Sequence, residues 1–467
     1  MSLSSNEPSN KHVPDNKHVP EEPSTRLGQF IFPMRPTSAE RKTLQEEPAT
    51  NCSSKLTIVE LASFHQKIAM IGYGVYGQAI HSRLPDHDIV PWERASTSRE
   101  SSDLATTNLS KAIDGRGLLI LAVPANAFPN VLNKIRPHPD SVVVSLAKGL
   151  IVPNWNPLES ERSLRDGPPE GSHACTPLEY IKEHPNWKHV ARNLVFVAGP
   201  GFAKDVKQGG FVGLTLSAAS QGSERPTEAL GKAFWVFSGM NGDRNIEIYN
   251  NSTALEVASS MKNIAAFAAG IILGIIKNKG GLEEDADGGY RIVKRVTISH
   301  GPQRIELDDQ TLHRLTHFAS RETINVVKSE GGGKGSQLTM AGGFDMNLTV
   351  NSLASRNVQA GMRLACGENI YEIMTKLDKN GHRLTAEGVI ATHAMARRIQ
   401  NNHDSEASAP LVFAIRNILM NRSTPEEIMA NYFTQTKIWT ESDALSILDG
   451  LSKPLALRTH APLASLN

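Results

Sequence analysis

From Lys67 onward, short apolar runs alternate with stretches of helical character, and this alternation constrains the chain more than any other feature. Lys67 to Ile71, Asp88 to Trp92, Leu118 to Val123, Val142 to Leu146, Leu194 to Val197 and Val212 to Leu216 read as strands. Strands separated by helices build a parallel sheet from β-α-β units. Pro91 cannot donate to a ladder, so the second strand is expected to end early. Past Asn250 the strand signal stops. Leu255 to Asn278, rich in Ala, Gly and Ile, opens a mostly helical region, followed by a polar, glycine-dotted segment from Gly280 to His313 and a glycine loop at Ser329 to Gln337. The expected organisation is an extension over 1–60, an α/β domain with a parallel sheet over 61–252, and a mostly α-helical domain over 253–460.

The extension holds the tandem repeat NKHVPD and NKHVPE between Asn10 and Glu21. Its Ser, Pro, Asn, Glu and Lys bury too little apolar surface to offset ordering entropy, so disorder is expected there. Lys plus Arg number 49 against 48 for Asp plus Glu. This balance gives no reason to expect nucleic acid or an anionic membrane as partner. Cys52, Cys175 and Cys366 lie far apart, without metal-like spacing, which suits a reducing compartment. Lys334 is followed by Gly where a phosphate-binding P-loop needs Ser or Thr, and His313 and His317, one helical turn apart, have no third ligand in view, so no metal is expected. The apolar run Ile264 to Ile276 is shorter than a membrane span and reads as a buried helix. Cytoplasmic residence is the expectation.

KIAMIGYGVYGQAI places Gly72, Gly74 and Gly77 between a strand and a helix. In that order the glycines aim backbone N–H groups and the positive helix end at a pyrophosphate, as in a Rossmann-type domain. Glu93, which closes the second strand, suits the ribose 2'-hydroxyl of NAD, whereas its neighbour Arg94 suits the 2'-phosphate of NADP. The preference between NAD and NADP stays open.

Four further segments carry chemistry. VVVSLAKGL puts Lys148 past a strand's carboxyl end, and AGPGFAKDV forms a glycine-proline turn after the next strand. EVASSMKNIAAFAAGI sets Lys262 and Asn263 in an apolar helix, and GGFDMNLTVNSLASRN holds Asp345, Thr349, Ser355, Arg356 and Asn357. In this order the segments resemble the NAD(P)-dependent glycerol-3-phosphate dehydrogenase family, from about Lys67 to near Asn431, and AEGVIAT and PLVFAIRNIL extend the likeness. The 11 residues from Asp345 to Arg356 match the spacing of its bacterial-type branch.

The resemblance implies interconversion of dihydroxyacetone phosphate and sn-glycerol 3-phosphate, supplying lipid head-group precursor, with NAD or NADP as cofactor and a homodimer as the assembly. It makes Lys262 the proton donor and acceptor at the substrate C2 oxygen, with Lys148 and Asn263 polarising the carbonyl and Asp345 tuning the lysine. Gly199, Gly201, Lys148, Asp345, Thr349, Ser355, Arg356 and Asn357 match substrate positions. Gly72, Gly74, Val75, Tyr76, Gly77, Arg94, Lys148, Ala203, Arg356 and Glu387 match cofactor positions. Physical chemistry agrees: hydride arrival at a ketone leaves charge on oxygen, which calls for a nearby acid in a positive field. A lysine desolvated in an apolar helix has a lowered pKa, which one carboxylate partly restores.

The chain departs from the family in several places. GGFDM stands where G-L-G-D-L is usual, Gly201 replaces a hydroxyl residue, and the stretches Val152 to Asn193 and Gly280 to Glu330 are unmatched. Two other readings are therefore weighed: a dehydrogenase of the β-hydroxyacid type, disfavoured by Ala266 where those enzymes carry Asn, and a dinucleotide-binding sensor or scaffold without catalysis.

Overall fold

The computed structural model describes residues 67–94, 104–209, 213–219, 228–241, 246–284, 290–332, 335–336, 339–377, 384–402, 404 and 406–436. The expectation for residues 1–60 lies outside the described residues.

Seven strands form one sheet in the order β2-β1-β3-β4-β5-β6-β7, where β1 is Lys67–Ile71, β2 Asp88–Trp92, β3 Leu118–Leu121, β4 Val142–Ser145, β5 Leu194–Ala198, β6 Leu214–Ala218 and β7 Ile246–Ile248. All neighbours are parallel except β5 and β6. β3, β4 and β5 are buried along their whole length, which is why they read as unbroken apolar runs. The chain leaves β1 for β2 on one side and crosses to β3 on the other. The carboxyl ends of β1 and β3 thus flank a switch point, where open α/β sheets bind ligands.

Two sequence expectations need correction. The second strand does not stop early: Met70 pairs with Pro91 and Ile71 with Trp92. β2 is the sheet's edge, and the Pro91 carbonyl faces outward to accept from Thr106 N, so the missing N–H falls on the side without a strand partner. Strands also continue past Asn250. Leu282–Glu284 pairs with Tyr290–Ile292, and Val296–His300 with Gln303–Leu307, as two antiparallel hairpins. In the second, Val296, Ile298 and Leu307 turn inward around Gly301, whose φ of 57° permits the turn. Inward and outward residues alternate here, but the polar ones dominate the composition.

The helical region is built around Ser252–Asn278. Asn251 caps it by accepting from Ala254 N at 2.9 Å. This helix is long and apolar enough to cross a membrane by composition, yet its apolar window is wholly buried inside the protein. Helices Thr311–Ser329, Asp345–Val350, Arg356–Ala365 and Glu387–Asn401 surround it. Glycines set the closest crossing. A Cβ on Gly270 would lie 2.0 Å from the Val358 carbonyl oxygen, and one on Gly361 would lie 2.1 Å from that of Phe267. Backbone contact at this point brings the start of Arg356–Ala365 beside Lys262 and Asn263.

Side chains tie the sheet to the helical region. Arg398 grips Glu179 at 2.7 Å and Glu330 at 2.6 Å, with two nitrogens on each carboxylate. Glu256 Oε1 accepts from Leu178 N at 3.0 Å.

Candidate active site

The glycine turn after β1 has the shape a dinucleotide requires. Gly72 has φ of 104°, and a Cβ there would meet Val123 at 2.7 Å. A Cβ on Gly77 would sit 2.3 Å from the Gly72 carbonyl oxygen. The first sets the turn against the end of β3, and the second holds Val75–His81 close against β1. Among the described residues nothing approaches a Cβ position on Gly74, by contrast, and no side chain caps the helix it begins. Its first-turn N–H groups are thus oriented toward an approaching anion, and the turn fits a pyrophosphate. Val75 is exposed at the same end, Arg94 is exposed just past β2, and Ala203 begins a short helix that packs against Val75–His81.

Across the switch point lies a buried charge cluster. Lys148 follows β4, and its Nζ donates to the Gly199 carbonyl after β5 and to Asp345 Oδ2, both at 2.8 Å. Lys262 Nζ, from the long helix, reaches the same Oδ2 at 2.6 Å, with Thr349 Oγ1 at 3.5 Å. Two ammonium groups therefore share one carboxylate oxygen. Thr349 Oγ1 donates to the Asp345 carbonyl at 2.6 Å, which fixes its own helix turn.

Environment separates the two lysines. Burial pushes Lys262 down to about 8; Asp345 opposes that fall and Lys148 adds to it. Burial also acts on Lys148, but the charges of Asp345 and Tyr76 outweigh it and hold its ammonium above the usual range. Asp345 is desolvated too, yet the two lysines keep its carboxyl below the usual value. The cluster therefore holds one firm cation, one anion and one group able to exchange a proton near neutral pH. Tyr76 faces Lys148 and Asp345, and burial raises its phenol.

A hydrogen-bonded chain extends the cluster to the neighbouring helices. Asn263 Nδ2 donates to the Lys148 carbonyl at 2.9 Å and to Glu387 Oε2 at 3.2 Å. Asn357 donates to Asn263 Oδ1 at 3.1 Å and accepts from Gly388 N at 2.8 Å. A Cβ on Gly388 would stand 2.3 Å from the Asn263 carbonyl oxygen, so glycine permits this contact. Glu387 is raised by burial, against the pull of Arg356, Lys262 and Lys148, so all three cations act on this one carboxyl. Arg356 is exposed and donates to Thr385 Oγ1; Ser355 is buried at the start of the same helix without capping it.

The structure thus brings together Lys148, Gly199, Lys262, Asn263, Asp345, Thr349, Asn357, Glu387 and Tyr76. Arg356 lies at the margin, and Gly201 belongs to the turn leading to Ala203. Sequence reading missed Glu247 and Thr215, which hold the turn before Asp345; only their position at the sheet's end could have marked them.

A sheet with a dinucleotide turn at its switch point, facing a buried lysine–carboxylate cluster, defines a nicotinamide-dinucleotide-dependent oxidoreductase. Family models described as the NAD-dependent glycerol-3-phosphate dehydrogenase N-terminus and C-terminus match residues 99–224 and 298–430. The chain belongs to the NAD-dependent glycerol-3-phosphate dehydrogenase family. Glycerol-3-phosphate dehydrogenase [NAD(P)+] of Bacillus velezensis is 25% identical over 412 residues, covering 83% of this chain and all of that protein. The enzyme of that name from Wolinella succinogenes is 25% identical, covering 77% of this chain and 97% of its own. Among solved structures, glycerol-3-phosphate dehydrogenase of Coxiella burnetii superposes with a TM-score of 0.55 at 17% identity, covering 79% of this chain and 98% of that one.

Proposed function

We propose that this protein interconverts dihydroxyacetone phosphate and sn-glycerol 3-phosphate with NAD(P)H, feeding glycerophospholipid synthesis. The observation that carries the reading is the shared carboxylate: Lys262 and Lys148 both on Asp345 Oδ2, at 2.6 and 2.8 Å, beside the dinucleotide turn. When bound, the nicotinamide supplies or accepts the hydride. Lys262 gives its proton to the C2 oxygen during reduction and recovers it during oxidation. Asp345 holds that ammonium in place, and Lys148 adds positive field at the oxygen where charge develops. Asn263 orients the helix face toward the carbonyl.

Arg356, Ser355 and Asn357 receive the phosphate, since a planar guanidinium bonds two of its oxygens at once. Gly72, Gly74, Gly77, Val75 and Tyr76 hold the nucleotide, with Arg94, Ala203 and Glu387 at its periphery. A homodimer in the cytoplasm completes the proposal.

The test is a steady-state assay of dihydroxyacetone phosphate reduction with NADH and NADPH in turn. Saturable turnover with at least one nucleotide is expected. Tight nucleotide binding with no turnover would overturn the reading.

A further inference from the structure

We propose that Glu247 is a positioning residue for the acid pair: from the last strand of the sheet it holds, directly and through Thr215, the turn that sets Asp345 against Lys262. This inference rests on the functional reading above for its effect on rate, but not for its geometry.

The turn Met340–Phe344 leads straight into the helix that Asp345 begins. Its first two backbone N–H groups have no partner within the turn and lie at the junction with the sheet, where a buried donor needs an acceptor. Two side chains on adjacent strands supply it. Met340 N donates to Glu247 Oε1, and Ala341 N donates to Thr215 Oγ1 at 3.0 Å. Thr215 in turn donates its hydroxyl proton to the same Glu247 Oε1 at 2.9 Å. One carboxylate oxygen therefore fixes both acceptors of the turn. β6 and β7 pair Thr215 directly with Glu247, so the brace is built into the sheet register.

Among the described residues, further contacts hold the turn alongside this brace. Thr339 Oγ1 accepts from Gly342 N at 3.0 Å, and Ser259 Oγ from the long helix reaches the Ala341 carbonyl at 3.4 Å. Gly213, just before β6, lies so close to Met340 that a Cβ there would meet its sulfur at 2.8 Å. A sheet residue is thereby linked to the catalytic carboxylate through five residues of turn. Because Asp345 Oδ2 is shared by two lysines, a small displacement changes how it divides between them. The charged groups acting on Lys262 are Asp345 and Lys148, with Glu387 beyond them. Of these, only Asp345 raises its proton affinity through a direct contact.

The experiment compares Glu247→Ala and Glu247→Gln with the parent enzyme. Glutamine keeps an oxygen acceptor for Met340 N and the Thr215 hydroxyl; alanine keeps none. Two readouts are taken: the pH profile of kcat for dihydroxyacetone phosphate reduction, and the titration of Lys262 followed by pH-dependent acetic anhydride labelling with mass spectrometry, which needs no substrate. Alanine is expected to lower kcat about tenfold, in keeping with the sensitivity of rate to small misplacements, and to shift the Lys262 titration downward by about one pH unit. Glutamine is expected to restore both, with NADH affinity unchanged throughout. If alanine prevents folding, Glu247→Asp, which shortens the reach to Met340 N, is read in its place. A parent-like Lys262 titration in the folded alanine or aspartate variant overturns the proposal. Absence of turnover in the parent would overturn the functional reading instead, while the labelling still decides the brace.

Discussion

Lys262 Nζ and Asp345 Oδ2 lie 2.6 Å apart although the residues belong to different helices, 83 positions distant in the chain. The contact is buried and is shared with Lys148, so Asp345 neutralises at most one of the two ammonium groups it touches. The surplus positive charge is what an alkoxide forming at a substrate carbonyl would meet.

Replacing Lys262 with Met keeps much of the apolar stem in the helix but removes the amine proposed as proton donor. A positioned general acid is worth about 10²- to 10⁴-fold in rate. The expected outcome is a kcat reduced by roughly that factor, with NADH dissociation nearly unchanged by fluorescence titration. Parent-like turnover would remove Lys262 from the role of acid.

The direction of the reaction decides the sign of its pH dependence. Lys262 is lowered by burial to about 8. On the proposed assignment, reduction of the ketone uses the protonated Lys262 amine, so its kcat is high below that value and declines as pH rises through it. Oxidation of the alcohol needs the neutral amine and rises over the same interval. Opposed profiles crossing near that pH are expected in steady-state measurements of the two directions. Parallel profiles would mean that another group carries the proton.

Much of this site could be read along the chain, for reasons that differ by residue. Gly72 and Gly77 are legible because only glycine satisfies a φ of 104° or a contact that would put Cβ 2.3 Å from a carbonyl oxygen. Lys262 is legible because a charge in an apolar helix is costly unless it does chemistry or finds a partner. Glu247 and Thr215 left no such mark. Both sit in short strands and act on backbone N–H groups more than 90 residues later, a relation set by tertiary packing. Pro91 misled for a related reason: its effect on β2 depends on which edge faces solvent, which no local pattern states. The hairpins after the long helix were hidden because polar residues outnumber the inward-facing Val296, Ile298 and Leu307.

The helix crossing that seats Asn357 against Asn263 makes a prediction about geometry. In Gly270→Ala, the new Cβ would lie 2.0 Å from the Val358 carbonyl oxygen, a backbone atom that can yield only if the helix moves. Overpacking of this kind costs about 1–3 kcal/mol. A lower midpoint in thermal unfolding is expected, together with a raised KM for dihydroxyacetone phosphate, because Arg356 and Asn357 begin the displaced helix. A drop in stability with unchanged KM would separate the crossing from the substrate site.

Glu322 tests the price of a buried carboxyl away from the chemistry. Its Oε2 accepts from Leu411 N at 2.8 Å and its Oε1 from the Tyr432 hydroxyl at 3.0 Å, joining Thr311–Ser329 to Pro410–Leu419 and to the helical segment 425–436. Burial raises this group from 4.5 to about 8, outweighing both hydrogen bonds. A folded-state value above the unfolded one means that the folded chain holds a proton the unfolded chain would release. The stabilisation is complete below the unfolded value and is lost as pH rises toward about 8, at a rate of about 1.4 kcal/mol per pH unit. Glu322→Gln presents a carbonyl to Leu411 N and an amide donor to the Tyr432 oxygen, and it does not titrate. Thermal midpoints measured at intervals between acid and mildly alkaline pH should therefore show the variant gaining on the parent as pH increases. A constant difference between the two would mean that Glu322 titrates alike in the folded and unfolded chain, its two donors offsetting its burial.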